Sequence, residues 1–443
     1  VRRAVALITF VLTLAACVQA ADGATSRRRR SRPVDLVWHV ETVDGKPVDS
    51  HQGDEQINPA SVVKIATSLW ALERLGSDFR YETRFFARGT LDKGRRILFG
   101  DLVVLGSGDP DFHAENAFLV AQALNEMGVE RVTGALIVNQ KFWMGWENGS
   151  AGRNRDPVRR AQLMAARLRQ GLDPKRWDGA TRATWREFAA RRGLKASRPP
   201  RVAVTGGVGA NGAVAQGEML VVHRSQPLPE ILRRFNCYSN NDIERVAVGL
   251  GSTEELADMV AARCQAPRQS IQFETTSGLG SNRLTPRIIV RLLREFLQSC
   301  KRLGVPVESI LPVVGCDPST VTRFFPLLAN GPNTTSVIGK TGTLTNTDGG
   351  VAVLAGFAKT ASGEYLFCVA VPKAAGKLKG ARRAEEQWVI GFLDREGGGQ
   401  PHRCAPPLSS SDAEVNIILA PGGQAPRVDS PAVPTPPSTA PVK

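Results

Sequence analysis

Ser61 and Lys64 stand three residues apart in the stretch Asn-Pro-Ala-Ser-Val-Val-Lys, 58–64. A serine hydroxyl attacks a carbonyl carbon only when a base takes its proton. A lysine can be that base once burial and neighbouring cations lower its pKa. Side chains at i and i+3 share a helix face. A helix start also leaves backbone N–H groups unpaired, and these can stabilise an oxyanion. Taken alone the pair is ordinary, a solvated lysine and a small residue near a helix N-terminus. Acyl transfer through a serine ester needs further parts, positioned by elements elsewhere in the chain.

Asn58 suits a helix cap and Pro59 a first helical position, so a helix is expected from this stretch to about Leu75. Before it, 34–50 reads as two strands around the turn Val-Asp-Gly-Lys. Strands are expected at 80–91 and 96–110, an amphipathic helix at 117–128 and a strand at 132–140. Residues 150–200 are Arg- and Ala-rich and read as helical. A strand, a helix, a short loop and a second helix follow in 218–250. Thr285 and Pro286 open another helix, and three strands, the last two joined by a Ser-Gly turn, and a helix close the ordered part. The order implies an α/β (α+β) fold, an antiparallel sheet flanked by helices, interrupted by a smaller insertion. The terminal strands are expected to return to the first ones. The boundaries expected are 33–85 and 223–393 for the main domain and 86–222 for the insertion. A Pro-, Ser- and Gly-rich tail, 394–443, is expected to be disordered.

Downstream, Ser239 and Asn241 form Ser-x-Asn in the loop between two predicted helices, and Lys340-Thr341-Gly342-Thr343 lies on a predicted strand. Ser-x-x-Lys, Ser-x-Asn and Lys-Thr-Gly, in this order, are the elements of penicillin-recognising serine acyl-transferases. With Gly-Asp-Leu-Val-Val-Leu-Gly-Ser-Gly-Asp-Pro (100–110) and Thr-Ser-Gly-Leu-Gly (276–280), the chain resembles the low-molecular-mass class C penicillin-binding proteins, a D-alanyl-D-alanine carboxypeptidase/endopeptidase family. The resemblance runs over roughly 34–392 and implies a transpeptidase-like fold shared with β-lactamases. It implies Ser61 as nucleophile, Lys64 as general base and Ser239 as the relay of a proton to the leaving nitrogen. Asn241 would bind the substrate amide, and Lys340 and Thr341 the terminal carboxylate. Gly342 would leave room for the substrate along the strand. The N–H groups of Ser61 and Thr343 would form the oxyanion hole. Stem peptides ending in D-Ala-D-Ala are the implied substrate and β-lactams the implied inhibitors. Two departures stand out. Thr275–Gly280 matches the family's Asp-Gly-Ser-Gly-Leu-Ser only at Ser277, Gly278 and Leu279, and the short Arg-rich insertion lacks the family's usual segment for the diaminopimelate side chain.

Composition sets the surroundings. The net charge of +15 on 443 residues suggests an anionic neighbour. The basic residues concentrate at 27–32 and 153–201 and no zinc-finger spacing occurs, which argues against nucleic acid and leaves an anionic polymer or a membrane surface. Arg2, Arg3 and the apolar run 4–16 read as a secretory signal, with cleavage before Cys17 (a lipid-anchored form) or after Ala20 both open. A periplasmic location follows. Cys237, Cys264, Cys300, Cys316, Cys368 and Cys404 then allow fifteen disulfide pairings. No Cys-x-x-Cys occurs and the five histidines are scattered, so neither metal nor cofactor is expected. The alternatives to a peptidase are a catalytically weak cell-wall-binding protein and a β-lactamase. No separate carboxylate poised for deacylation is visible in the sequence.

Overall fold

A computed structural model describes residues 35–210, 217–408 and 415–417. The expected signal segment, with Cys17, lies outside them. The chain opens with strands β1 (Val37–Thr42) and β2 (Pro47–His51). A 3-10 turn, Ala60–Val62, runs into helix α1 (Val63–Leu75). Then come β3 (Glu82–Asp92), β4 (Ile97–Gly106), α2 (Ala114–Glu126), β5 (Arg131–Val132) and β6 (Leu136–Val138). Helices α3 (Pro157–Leu172) and α4 (Gly179–Arg191) precede β7 (Ala203–Val204), β8 (Val208–Ala210) and β9 (Glu218–Arg224). A helical block follows: α5 (Leu228–Tyr238), α6 (Ile243–Val248), α7 (Thr253–Cys264), α8 (Pro286–Leu303), α9 (Thr320–Phe324) and α10 (Pro326–Asn330). β10 (Val337–Leu344), β11 (Val351–Lys359), β12 (Glu364–Pro372), α11 (Leu378–Arg395) and β13 (Val415–Ile417) end the order.

Five strands form one antiparallel sheet in the order β10-β11-β12-β1-β2. The C-terminal strands do return to the N-terminal ones: Val37 pairs with Ala370 and Thr42 with Tyr365. Side chains alternate across this sheet with period two. Val353, Ala355, Leu366, Cys368 and Ala370 face a core shared with Leu69 and Leu72 of α1 and Ile289, Leu292, Leu293 and Phe296 of α8. Leu354, Phe367 and Val369 face the other way, onto Val389, Phe392 and Leu393 of α11. β11 and β12 therefore read as nearly unbroken apolar runs because both their faces are covered. α8 starts where its cap expects, the Thr285 hydroxyl accepting from Ile288 N–H, with Pro286 in the first turn.

A second sheet takes β13-β9-β3-β4-β5-β7, with β6 beside β4 and β8 beside β6. Its core is Phe85, Leu102, Val104 and Leu220 against α2 and α3. On α2, Phe118 also meets Trp177, Trp185 and Phe188, an aromatic cluster that seats α4. The Arg-rich stretch is thus helical because each helix buries one apolar stripe, leaving arginines outside.

Two expectations need correction. The helix at 58–75 does not begin at Pro59: a 3-10 turn intervenes, and Asn58 sits ahead of it. The tail does not begin at residue 394. α11 runs to Arg395, Gln400 N–H donates to Lys359 O, Gly399 N–H to the Asn333 side chain and His402 N–H to Thr335 O. Cys404 is bonded to Cys316, and the other described cysteines, Cys237, Cys264, Cys300 and Cys368, are free and buried. Composition argued for disorder because this segment has few apolar groups. A covalent tether and backbone hydrogen bonds to a preformed hairpin order it instead. Most of the remaining tail, beyond residue 408, lies outside the described residues. We expect Cys404→Ser, or reduction of the wild type, to lower stability by about 2–4 kcal/mol, read as a lower melting temperature together with faster proteolysis within 396–408.

Candidate active site

The turn that carries Ser61 is held from three sides. Asn58 Oδ1 accepts from Ala60 N–H at 3.0 Å, and its amide donates to Gly280 O at 2.9 Å and Asp348 Oδ2 at 2.6 Å. Ala60 has φ of +46°, a left-handed conformation that costs an L-residue roughly 1–2 kcal/mol. Backbone from two other segments presses on it. A β-carbon at Gly278 would stand 1.9 Å from Ala60 O, and one at Gly342 2.5 Å from Pro59 O. Gly278 also has φ of +87°. Both glycines therefore admit the turn itself. For Gly342 this is a nearer reason than the room for substrate that the resemblance implied.

Lys64, on the first turn of α1, is fully buried. Its amine lies 3.0 Å from Ser61 Oγ, 3.0 Å from Asn241 Oδ1 and 2.7 Å from Ser277 O. Two of these neighbours can only accept, whereas the serine hydroxyl can accept or donate. A neutral amine has two N–H groups and one lone pair. Asn241 and Ser277 use the two N–H groups, and the lone pair is left for the Ser61 hydroxyl. Burial favours that neutral form: it holds the Lys64 pKa well below the usual lysine range, the Lys340 charge adds to the effect, and Glu244 opposes it.

Ser239 ends α5 in the left-handed conformation, φ +53°, which turns its hydroxyl toward β10. Lys340 Nζ donates to Ser239 Oγ at 3.0 Å and to Thr341 O at 2.9 Å. Lys340 is also fully buried, and burial lowers its pKa to about 7. Thr341 Oγ1 and Thr320 Oγ1 are 2.7 Å apart, and Thr343 Oγ1 accepts from Arg382 at 3.1 Å. The structure thus links Ser61, Lys64 and Asn241 in one hydrogen-bonded set and Ser239, Lys340 and Thr341 in a second. β10 carries the second set past the Ser61 turn, as the Gly342 contact records.

Several neighbours were not legible as site residues. Arg382 and Thr320 join the strand carrying Lys-Thr-Gly from helices remote in sequence. Asn148, in the loop after β6, accepts from Asn241 Nδ2 at 3.3 Å. A carboxylate, Glu244, lies near the pair without being poised for deacylation. It touches Ser277 and Ser150, with no hydrogen bond to Ser61. Its only sequence signal is its position three after Asn241. Among the described residues no cluster of three or more His, Cys, Asp or Glu could hold a metal ion, and no helix is long and apolar enough to cross a membrane.

Comparison with known proteins is consistent with this geometry. The model of the D-Ala-D-Ala carboxypeptidase 3 (S13) family matches residues 36–162 and 190–389. The D-alanyl-D-alanine carboxypeptidase of Actinomadura sp. (strain R39) is 32% identical over 160 residues, covering 32% of this chain and only 29% of that protein. Among solved structures, the predatory endopeptidase Bd3459 of Bdellovibrio bacteriovorus superposes with a TM-score of 0.73 at 22% identity, over 87% of this chain and all of that one. It has also been solved acylated by penicillin G. Penicillin-binding protein 4 of Haemophilus influenzae gives 0.57 at 19% or less, over 82% of this chain and 97% of that one. At these identities the structural matches establish the fold.

The contact between Gly278 and the turn makes a direct prediction. Gly278→Ala adds a β-carbon that meets Ala60 O, in a conformation disfavoured for alanine. We expect a loss of about 2 kcal/mol or more, measured as a drop in melting temperature. An unchanged melting temperature would mean that Gly278 does not press on the Ser61 turn.

Proposed function

The chain belongs to the D-Ala-D-Ala carboxypeptidase 3 (S13) family, and from that premise we propose that it is an exported serine DD-peptidase that cleaves peptidoglycan stem peptides through an acyl-enzyme on Ser61. The observation that carries this reading is the Lys64 amine, desolvated and left with one free partner, the Ser61 hydroxyl. In this reading Lys64 takes the Ser61 proton as Oγ attacks the carbonyl between the two D-alanines. The N–H groups of Ser61 and Thr343 stabilise the oxyanion. Ser239, held by Lys340, relays that proton from Lys64 to the departing D-Ala nitrogen. Lys340 and Thr341 receive the terminal carboxylate, and Asn241 binds the substrate amide while holding Lys64. Water then releases the acyl group. A β-lactam presents a similar amide and carboxylate in a strained ring, so it acylates Ser61 and leaves slowly.

The reading places the protein outside the cytoplasm, in the periplasm, with an anionic polymer or membrane surface as a neighbour of its basic flank. A β-lactamase is the weaker alternative, because Glu244 is engaged by Ser150 and Ser277 rather than directed at the acyl position. Incubation with fluorescent penicillin tests the proposal: a stable covalent adduct is expected on the wild type and none on Ser61→Ala. Labelling of Ser61→Ala, or rapid release with turnover, would refute it.

The pH dependence has a definite sign. Lys340 must carry its proton to bind a carboxylate, and burial sets its pKa at about 7. The charge is present below that pH and lost above it. The kcat/KM for D-Ala release should therefore fall as pH rises through about 7. In Lys340→Arg the falling limb should move far to the alkaline side, because a guanidinium keeps its proton.

A further inference from the structure

Lys64 needs two acceptors to aim its lone pair, and both descend from one short helix. Asn241 supplies one directly, just before α6. The other is the carbonyl of Ser277, which belongs to a loop more than thirty positions later. A loop carbonyl is a poor fixed point unless something holds the peptide. On one side the Ser277–Gly278 peptide rests on the Ser61 turn, as the 1.9 Å approach of a Gly278 β-carbon to Ala60 O records. On the other side stands Glu244, on the first turn of α6 and three residues after Asn241. Ser277 Oγ donates to Glu244 Oε1 at 2.5 Å.

We propose that Glu244 is a positioning residue for the general base: it fixes Ser277, whose carbonyl in turn orients the Lys64 amine. This rests on the reading of Ser61 and Lys64 given above. The other oxygen of Glu244 ties the arrangement to the second sheet. Oε2 accepts from Ser150 N–H at 2.9 Å and Ser150 Oγ at 3.1 Å. The loop closes tightly on the carboxylate, since a β-carbon at Gly149 would stand 2.7 Å from Oε2, and Gly149 has φ of +111°. The residue between Asn241 and the helix works alongside. Asp242 accepts from Glu147 N–H at 2.8 Å and Gly149 N–H at 2.6 Å, so the same loop is clamped twice. Glu244 thus joins two loops remote in sequence and sets one acceptor of the base without touching Ser61. It also contributes charge. The charged groups acting on Lys64 are Lys340, which disfavours its protonated form, and Glu244, which favours it. Burial of Lys64 outweighs both.

Acylation rates with fluorescent penicillin, followed from acid to alkaline pH, separate this role from a merely structural one. The variants are Glu244→Gln, Ser277→Ala and the double variant, each with its melting temperature. Glu244→Gln should slow acylation at the plateau by about tenfold or more, in keeping with the steep cost of small misplacements in a site. Its acid limb should move to lower pH, because removing the negative charge eases deprotonation of Lys64. Ser277→Ala removes only a hydroxyl and keeps the carbonyl. It should lower the plateau as well, and the double variant should be no slower than the slower single one. Additive losses, or wild-type rates and limbs in both single variants, would overturn the proposal. If Glu244→Gln does not fold, Ser277→Ala decides: a wild-type plateau in it refutes the linkage. Absence of an adduct on the wild type would instead refute the acyl-enzyme reading and this inference with it, so the two failures are distinct.

Discussion

A lysine amine removed from water is the constraint around which this site is built. An unpaired buried ammonium costs several kcal/mol, so burial of Lys64 favours the neutral amine. Lys64 is fully buried and, among the described residues, no carboxylate hydrogen-bonds its amine. Two acceptors that cannot donate surround it, and the third neighbour is a hydroxyl. The desolvation that lowers the Lys64 pKa is also costly in the fold, and several elements share in burying it. α1 carries the lysine, α6 and the 275–280 loop supply its acceptors, and β10 brings a second buried lysine whose charge pushes the first toward neutrality.

The close approach of three backbones follows from that requirement. The Ser61 turn, the Gly278 loop and the Gly342 strand meet without side chains between them. Ala60 stays in a left-handed conformation because the surrounding backbone leaves it no alternative. Ser239 adopts the same conformation at the end of α5 and so faces Lys340 rather than continuing the helix. Strain at these two points is small against the core that holds them, which joins α1, α8 and one face of the five-stranded sheet. The second sheet contributes through the loop where Asn148, Gly149 and Ser150 meet Asn241, Asp242 and Glu244.

Much of this was open to inspection in the residues alone. Spacing puts Ser61 and Lys64 on one face, because a helical turn brings i and i+3 together without help from the rest of the fold, but the pair is singled out only by Ser239, Asn241 and Lys340-Thr341-Gly342 downstream. The strands of the main sheet show as apolar runs and α8 shows its cap, since both signals are local. The pairing of Ser239 with Lys340 was readable only through resemblance to a family. No local rule connects positions 101 apart. Arg382 and Thr320 carried no signal and Glu244 little beyond its place three after Asn241, because a carboxylate, a guanidinium or a hydroxyl on a helix is common on any surface. The segment 396–408 misled, since composition reports the apolar burial a segment can supply and says nothing of a disulfide or of backbone bonds to a neighbour.

The sequence by itself determined which chemical groups are present, the local helical register that sets Lys64 behind Ser61, and the apolar runs that bury both faces of β11 and β12. Only the tertiary structure decided that the neutral form of the lysine is favoured and which groups its amine meets. Those properties depend on exclusion of water and on acceptors at Asn241 and Ser277, drawn from segments far from Lys64 along the chain. A pKa is a property of an environment, and this environment exists only once the turn, the loop, the short helix and the strand have closed on one another.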